Sequence, residues 1–453
     1  MKENKMAEMP MKKLMISLGL PMIVSMALQA LYNIVDSAFV ANMKEGGEAA
    51  LNALTLVFPL QMLMVAIGVG TGVGANALIA KCLGGNDLKK ASRAAGVSVF
   101  LGLIITALFM LFGLFGTRAF IYMQTSNTQV AEMAIVYLRI CTLFCAGIVF
   151  FSIFEKFLQA TGLSVYSTIG QIFGSLVNIL LDPLLIYGWH IIPSLGIVGA
   201  AIATIIGQIA GALLDLYFHL RFNTSVKIMK KDIVFDGKMI KEIYSIGLPA
   251  IIAQALMSIM TFALNVIFVS ISENMQTAYG LFYKIQQFIL FCGFGMRDAI
   301  TPITSYAYGM KDKERVKEAI RYGLLYTVII MAVGSLGVIV FAGPISGLFA
   351  LSGQTEALCI SAMRIIPLSF VFAGANIALQ GVFQALNGGK EVMAIALGRQ
   401  LVFVLPFALL FSKMIIANRA EPSLVWFTFL IGEVLTLGIA LILLKKRKKE
   451  IAL

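Results

Sequence analysis

Long apolar runs separated by short polar breaks organise the whole sequence. A run of at least about 18 apolar residues is long enough to cross a bilayer, and a chain of this kind crosses hydrocarbon as helices whose backbone amides pair internally. The pattern therefore predicts an all-α membrane protein with about twelve transmembrane helices. Their limits are about 14–40, 50–78, 94–116, 132–158, 164–187, 196–220, 242–270, 277–306, 319–342, 357–384, 391–415 and 423–444.

The composition supports this assignment and disfavours several classes of function. Hydrophobic residues make up 59% of the chain and charged residues 13%, whereas soluble domains have about 45–50% and 25%. The five cysteines are scattered through apolar segments and the two histidines lie far apart. Neither a metal site nor a histidine-based catalytic dyad is expected from this spacing. We expect a protein that is not an enzyme and that needs no bound cofactor.

The basic residues are sorted by loop. The net charge is +12, and lysine and arginine gather before the first span, after the second, sixth and eighth spans, and after the last. The intervening loops carry little excess of either residue. This alternation follows the positive-inside rule, so it predicts a multi-pass plasma-membrane protein with both termini in the cytoplasm. It also explains the net charge without a nucleic-acid partner.

The two halves of the sequence resemble each other in three places that keep their order. "SLGLPMI" recurs as "SIGLPAI", "AKCLGGNDLKKA" as "SYAYGMKDKERV", and "YLRI" with "FLQATG" after it as "AMRI" with "VFQALNGG" after it. Such repetition at a nearly constant offset indicates an internal duplication.

The longest polar break, residues 221–240, separates the duplicated halves. It predicts an N-terminal six-helix bundle in residues 1–220, a cytoplasmic linker, and a C-terminal six-helix bundle in residues 241–453. Six crossings are an even number, so the bundles would be related by a pseudo-two-fold axis along the membrane normal. A cavity between two such bundles predicts a transporter that works by alternating access. The expected partners are small organic substrates and membrane lipid, and the chain is expected to act as a monomer.

A polar stripe containing an acid runs through the first predicted span. Its members recur every three or four residues and share one helix face; they are Ser25, Gln29, Tyr32, Asn33, Asp36 and Ser37. A charged carboxylate at the bilayer centre costs about 3 kcal/mol, so Asp36 is a functional candidate that faces protein or water. The alternative is that Asp36 lies at the outer interface, because a span of about 20 residues would end near Asn33.

A second acid lies in the fifth predicted span, within "SLVNILLDPLLIYG". Asn178 and Asp182 are four residues apart and share a helix face, and Pro183 removes a backbone donor beside the acid. Two carboxylates close together in a low-dielectric pocket cannot both ionise at low cost. A pair formed by Asp36 and Asp182 would therefore bind a proton or a sodium ion.

The glycine-rich stretch "GVGTGVG" lies inside an apolar span and follows no strand. Gly68 with Gly72 and Gly70 with Gly74 form two overlapping small-xxx-small pairs, which let helices approach closely. This context favours helix packing over a dinucleotide-binding loop.

Together these stretches resemble the multidrug and toxic compound extrusion (MATE) family, on its MepA-like and DinF-like branches. The similarity covers nearly the whole chain and is carried by "GLP" in each half, "GVGTGVGANALIAKCLGGND", "YLRI", "NILLDPLLIYG" and "GIVGAAIAT". The resemblance implies a cation-coupled antiporter that exports amphipathic, often cationic, organic molecules. It favours H+ as the coupling ion, with Na+ bound at Asp36, Asn178 and Asp182 as the alternative.

The resemblance also implies roles for single residues. The residues expected in cation coupling are Asp36, Asp182, Asn178, Tyr32 and Thr204. Asp298 is expected to meet cationic substrate, with an internal charge pair between Arg297 and Asp298 as the alternative. The seventh helix has Leu264 where the first has Asp36, so coupling is expected in the first bundle.

Further substrate contacts are expected from the polar stripe and from methionines on helices that would border the cavity. Methionine surfaces repack around varied apolar ligands. The expected contacts are Gln29, Asn33, Met26, Met62, Met257 and Met260. For the methionines, ordinary core packing is the alternative.

Two rival functions make different predictions. A lipid-linked oligosaccharide or lipid flippase of the same superfamily would have additional helices and cationic, not acidic, central residues. A membrane-embedded enzyme would need a nucleophile, a metal set or an acid–base pair at an aqueous interface, and the acids found within the spans lack such partners.

Overall fold

A computed structural model of the chain describes residues 5–41, 43, 47–188, 193–347 and 353–451. For residues 32–34, 36–38, 41, 47, 48 and 51 it describes the backbone alone. The described residues form helices and no strand, which confirms the predicted all-α class.

The helices follow the apolar runs of the sequence. They are α1 (Lys5–Glu8), α2 (Met11–Ala41), α3 (Gly47–Gly84), α4 (Leu88–Phe115), α5 (Thr117–Tyr122), α6 (Thr128–Leu143), α7 (Ala146–Ala160), α8 (Ser164–Ile186), α9 (Ile197–Phe222), α10 (Gly237–Ile271), α11 (Glu273–Gly309), α12 (Lys313–Val340), α13 (Ala342–Gly347), α14 (Gly353–Ile365), α15 (Phe370–Ala385), α16 (Gly389–Leu397), α17 (Val404–Ile416) and α18 (Phe427–Glu450).

Ten helical segments of the described chain are each long and apolar enough to cross a membrane. The shorter α6 and α7 meet at a bend of 46° and together make an eleventh span. α11 is long enough, with 37 residues, but it is less apolar because it carries Lys284, Arg297 and Asp298. The described part of the chain thus has ten candidate spans, or eleven with the bent pair, and α11 as a further span stays a prediction.

Several spans keep large apolar side chains on their outer surface. On α4 these are Leu103, Leu108, Leu111 and Phe115, which are exposed and lie three to five residues apart. That spacing puts them along one side of the helix. A contiguous apolar surface of this kind suits contact with lipid.

The described chain divides into two compact units, and both divisions fall inside helices. One unit is Leu28–Ile251, and the other combines the described residues up to Ala27 with those from Ile252 onward. α2 and α10 therefore each contribute residues to both units. The sequence pattern places the boundary between the two bundles at the polar loop, residues 221–240. A change in composition indicates a loop, whereas a boundary inside a continuous apolar helix causes no change in composition.

Glycines allow helices to pack closely within the Leu28–Ile251 unit. A Cβ atom at Gly70 would lie 2.9 Å from the carbonyl oxygen of Gly247 in α10, and one at Gly72 would lie 2.9 Å from that of Ser152 in α7. Because a side chain does not fit at such distances, α3 meets both helices backbone to backbone. This confirms the close packing predicted for the glycine pairs of α3.

Charged side chains tie together one end of this unit, which we call the basic end. Lys90 of α4 pairs with Glu242 of α10 at 2.8 Å, and Arg93 lies 3.5 Å from Asp236. The backbone N–H of Met239 and the Arg93 guanidinium lower the pKa of the Asp236 carboxyl. Two ring contacts, Phe157 with His219 and Tyr166 with Phe222, show that the end of α7 and the start of α8 lie next to the end of α9 at this basic end. The other end, where α8 ends and α9 begins, we call the opposite end.

The other unit, which we call the second unit, has aromatic rings in its core and a tight contact at the start of α2. The ring centroid of the fully buried Trp426 lies 5.4 Å from that of Phe268 and 6.4 Å from that of Tyr279. In α11, a Cβ atom at Gly295 would lie 2.7 Å from the carbonyl oxygen of Met22. The first part of α2 therefore packs directly against α11 within this unit.

A buried ion pair interrupts the apolar core of the second unit. Arg399 lies in a π-helical turn, Gly398–Val402, and its Nε and Nη2 donate to Oε1 of Glu433 at 2.9 and 2.8 Å. Nδ2 of Asn376 donates to Oε2 of Glu433 at 2.7 Å. The Arg399 and Glu433 side chains are only 8% and 12% exposed. The loss of either partner would leave a buried, uncompensated charge.

Candidate cation site

α8 and α9 pack against each other along a seam of glycines. A Cβ atom at Gly174 would lie 2.8 Å from the carbonyl oxygen of Gly207, and one at Gly207 would lie 2.7 Å from that of Gly174. The middle of the seam therefore has no room for side chains. Gly170, Gly174, Asn178 and Asp182 are four residues apart, so a single face of α8 carries both the glycines and the predicted site.

Three of the side chains predicted for cation coupling lie together at the opposite end of the seam. Asp182, Asn178 and Thr204 are 0%, 2% and 6% exposed. Nδ2 of Asn178 lies 3.5 Å from Oδ1 of Asp182 and 3.5 Å from Oγ1 of Thr204. The amide of Asn178 thus joins the acid of α8 to the hydroxyl of α9.

This cluster has the chemistry of a site for a small, hard cation. It offers carboxylate, hydroxyl and amide oxygens, which are the ligand atoms that such cations prefer. Oδ1 of Asn178 is buried and accepts no hydrogen bond from any described residue. A carboxylate removed from water is costly unless its charge is met by donors, a proton or a cation. The cluster would therefore suit a proton or a sodium ion.

The end of α2 lies against the end of α8. The hydroxyl of Tyr187 donates to the carbonyl oxygen of Phe39 at 2.7 Å, and the two rings meet edge to face with centroids 6.4 Å apart. Asp36 precedes Phe39 by three residues and Asp182 precedes Tyr187 by five, so each acid lies about one turn before this contact. The predicted side chains that lie outside the described residues are those of Tyr32, Asn33 and Asp36. Their contacts with Asp182 stay predictions.

Pro183 lies inside α8, which runs from Ser164 to Ile186. Proline has no backbone N–H, so the helix lacks one hydrogen bond directly beside Asp182. The missing backbone donor that the sequence predicts beside the acid therefore lies within a helix that continues to Ile186.

Asp298 is paired with its neighbour. Nε and Nη2 of Arg297 lie 3.1 and 2.9 Å from Oδ1 of Asp298, and the Asp298 side chain is 3% exposed. The Arg297 guanidinium also lies 4.9 Å from the centroid of the Phe294 ring. This geometry matches the alternative of an internal charge pair, and the substrate contact of Asp298 stays a prediction.

The remaining substrate candidates are half-buried wherever the structure describes their side chains. Gln29 and Met62 belong to the Leu28–Ile251 unit, and Met26, Met257 and Met260 belong to the other unit. Met260 packs against the hydrophobic core of its unit, which matches the alternative of core packing for that residue. Their role in binding substrate stays a prediction.

The sequence motifs do not reveal a second buried polar set at the basic end of the α8–α9 pair. Asp215 and His219 of α9 are both buried there. Their four-residue spacing within an apolar span is the signal that could have found them. Among the described side chains, no group of three or more His, Cys, Asp and Glu residues is placed to hold a metal ion.

The family and the relatives of this chain can be read from comparisons with known proteins. The MatE family model matches residues 21–184 and 249–410, once in each half of the chain. A multidrug export protein MepA from Staphylococcus saprophyticus is 24% identical over 393 residues, which cover 86% of each chain. The MepA protein from Staphylococcus aureus is 26% identical over 407 residues, which cover 87% of each chain. The double match agrees with the internal duplication.

Solved structures extend the similarity to the whole fold. A crystal structure of MATE in complex with MaL6 gives a TM-score of 0.92 at 26% identity. An outward-facing multidrug resistance MATE family transporter of the MOP superfamily gives 0.91 at 27% identity. Each match covers 100% of this chain and 99% of the solved chain. These likenesses confirm the predicted two-bundle fold.

Proposed function

The chain belongs to the MatE family of membrane transporters, and on that premise we propose that it is a cation-coupled multidrug antiporter. It exports amphipathic, often cationic, organic compounds by alternating access, with H+ as the coupling ion and Na+ as the alternative. Relatives named as multidrug export proteins support this substrate class. Family membership implies a location in the plasma membrane.

The buried cluster of Asp182, Asn178 and Thr204 is the observation that carries the proposal. An acid with no exposed surface is a poor choice for helix packing, because its charge must be met inside the protein. Here the acid lies next to an amide that also contacts a hydroxyl, and it is one residue from a missing helix hydrogen bond. The arrangement supports a site where a cation is bound and released.

Competition between cation and substrate would drive the cycle. A proton that enters from outside is shared by Asp182 and Asp36 and removes one of their two negative charges. The end of the first transmembrane helix, α2, that carries Asp36 then repacks, and the affinity for substrate falls. The substrate then leaves on the outside. Loss of the proton on the inside restores the charge and with it the affinity for the next substrate molecule.

The energetics limit what a single proton achieves. One charge crossing 100 mV yields about 2.3 kcal/mol, and one pH unit yields about 1.4 kcal/mol. If one proton enters for each monovalent cation that leaves, the electrical contributions cancel. Only the pH difference then remains, which supports about tenfold accumulation of substrate per pH unit.

The orientation follows the charges of the loops. We place the basic end of the Leu28–Ile251 unit, with Lys90, Arg93 and the loop at residues 223–236, in the cytoplasm with both termini. The Asp182 cluster at the opposite end of α8 and α9 then lies in the outer half of the membrane. A proton from outside reaches it first.

The acid at the site also favours an antiporter over a flippase. A flippase of the same superfamily would carry cationic residues in its centre and additional helices. The buried acid of α8 supports export of cationic compounds instead, and the described residues hold ten or eleven candidate spans without an additional set.

Vesicles containing the purified protein test the proposal. With an acidic lumen, no sodium and no membrane potential, they are expected to accumulate ethidium about tenfold per pH unit, because the proton gradient alone supplies the energy. A sodium gradient at equal pH is the matched control and is expected to drive no accumulation. Accumulation driven by sodium alone would replace H+ by Na+, and accumulation under neither gradient would refute cation coupling.

A further inference from the structure

A second buried ionisable cluster lies at the basic end of the α8–α9 pair. Its members are Glu155, Lys156 and Gln159 of α7 and Asp215 and His219 of α9, and each is at most 5% exposed. We call these five residues the basic-end cluster. The proposed antiport cycle, as stated so far, uses none of them.

Three members of the cluster satisfy one another. Nζ of Lys156 donates to Oε1 of Gln159 at 2.9 Å and lies 3.8 Å from Oε2 of Glu155. Nε2 of Gln159 donates to Oε1 of Glu155 at 3.0 Å. The charges of Lys156 and Glu155 therefore compensate each other. The net charge of this trio is therefore zero.

Asp215 is the acid that this trio leaves uncompensated. Its side chain is fully buried, and neither carboxylate oxygen accepts a hydrogen bond from any described residue. On α8, a Cβ atom at Gly170 would overlap Oδ1 of Asp215. The ionisable groups of the packed helices near it are Glu155 and Lys156 of α7 and His219 of α9. The helix pair thus leaves room for the acid and supplies no donor to it.

His219 follows Asp215 by one helical turn, and its tautomer can be inferred from its neighbour. The backbone N–H of Val226 donates to Oδ1 of Asn223 at 3.2 Å, so Nδ2 of Asn223 faces Nδ1 of His219, 3.1 Å away, as a donor. The neutral ring then carries its hydrogen on Nε2. That atom is buried and has no hydrogen-bond partner among the described residues.

The cluster and the Asp182 site occupy the two ends of the same helix seam. Thr204 and Asp215 are 11 residues apart on α9, which is about three turns and about 16 Å along one face. Between them lie the glycine contacts of Gly174 and Gly207. The same pair of helices therefore carries one buried acid near each membrane surface.

We infer that Asp215, with His219 beside it, is a second proton-binding site of this transporter, at the end of the seam opposite Asp182. With Asp215 ionised the cluster has one uncompensated negative charge, and a single proton on the carboxyl removes it. A buried carboxyl without a donor favours that neutral form. The inference rests on the proposed proton coupling and adds the group that exchanges protons with the cytoplasmic side. The proton moves between a carboxylate oxygen of Asp215 and water at the basic end, so no other reactant is needed.

Transport by the full chain in vesicles tests the inference in two modes. Ethidium accumulation driven by a pH gradient requires net proton movement, whereas exchange of ethidium across vesicles at equal pH requires none. The wild type is expected to accumulate ethidium about tenfold per pH unit. In Asp215→Asn the ratio of this accumulation to the rate of ethidium exchange at equal pH is expected to fall, because the variant loses the accumulation. An unchanged ratio of accumulation to exchange overturns the inference. Glu132→Gln removes an exposed acid of α6 and is the matched control, with a wild-type ratio expected.

Infrared difference spectra between two pH values give a readout that does not depend on transport. The wild type is expected to show a carboxylic acid band from each buried acid that binds a proton, and the band of Asp215 is expected to be absent in Asp215→Asn. Identical spectra overturn the inference. If Asp215→Asn does not fold, His219→Gln is used, which is expected to shift the band; an unshifted band overturns the inference. If a pH gradient drives no ethidium accumulation by the wild type, the proposed function is refuted. The infrared band then still shows whether Asp215 binds a proton.

Discussion

Gradient-driven export is expected to disappear in an Asp182→Asn variant. Asparagine has nearly the same shape and keeps a polar group beside Asn178, so the α8–α9 packing should survive. It has no charge for a cation to neutralise, so binding the coupling ion no longer changes the state of the site. Ethidium accumulation in vesicles, about tenfold per pH unit for the wild type, should fall to none. Cells that express the variant should retain ethidium.

Two further variants make this result specific. Glu132→Gln removes an exposed acid that accepts a hydrogen bond from Tyr122 at 3.0 Å, and it should export like the wild type. Asp36→Asn should lose ethidium accumulation to the same extent as Asp182→Asn. The double variant should lose no more than either single variant, because the effects of substituting groups that act as one unit are not additive. Wild-type accumulation by Asp182→Asn would show that this acid has no part in coupling.

Loss of the buried arginine is expected to destabilise the second unit strongly. In Arg399→Met the carboxylate of Glu433 keeps, among the hydrogen bonds from described residues, the one from Asn376, and it stays buried without its counter-charge. Breaking a buried pair in this way costs about 3–5 kcal/mol. The melting temperature of the purified protein in detergent should therefore fall well below that of the wild type.

A surface pair and a double variant separate charge from packing. Lys317 and Glu314 pair at 2.7 Å with side chains 48% and 81% exposed, so Lys317→Met should cost about 1 kcal/mol or less. Arg399→Met combined with Glu433→Leu should recover much of the stability, since no charge remains buried. Equal melting temperatures for Arg399→Met and Lys317→Met would contradict the assigned importance of the buried pair.

Much of the fold could be predicted because membrane crossing leaves a strong signal. Apolar runs gave the spans, and the glycines of α3 indicated close packing, which their contacts with Gly247 and Ser152 confirm. α11 shows where this signal weakens, because Lys284, Arg297 and Asp298 lower its apolar character. The bend of 46° between α6 and α7 has no proline to mark it. The sequence pattern shows one apolar run there.

The candidate site was predictable where its residues share one helix and could be only partly predicted across helices. The pairing of Asn178 with Asp182 follows from their spacing on α8, and the contact of Asn178 with Thr204 depends on how α9 packs against α8. Asp215 and His219 were missed because the role of an acid depends on the groups packed around it. Its burial against Gly170 and the compensated charges of α7 are properties of the packed helices, which the order of residues does not display.

The affinity of the purified protein for ethidium, measured as a function of pH, tests the central claim most directly. If protons and substrate compete for a state set by Asp182 and Asp36, the affinity should fall about tenfold for each unit of decreasing pH within the range where the acids bind protons. The double variant Asp36→Asn and Asp182→Asn should bind with an affinity that does not change with pH. A wild-type affinity that is independent of pH, or a double variant that keeps the full dependence, would contradict the claim.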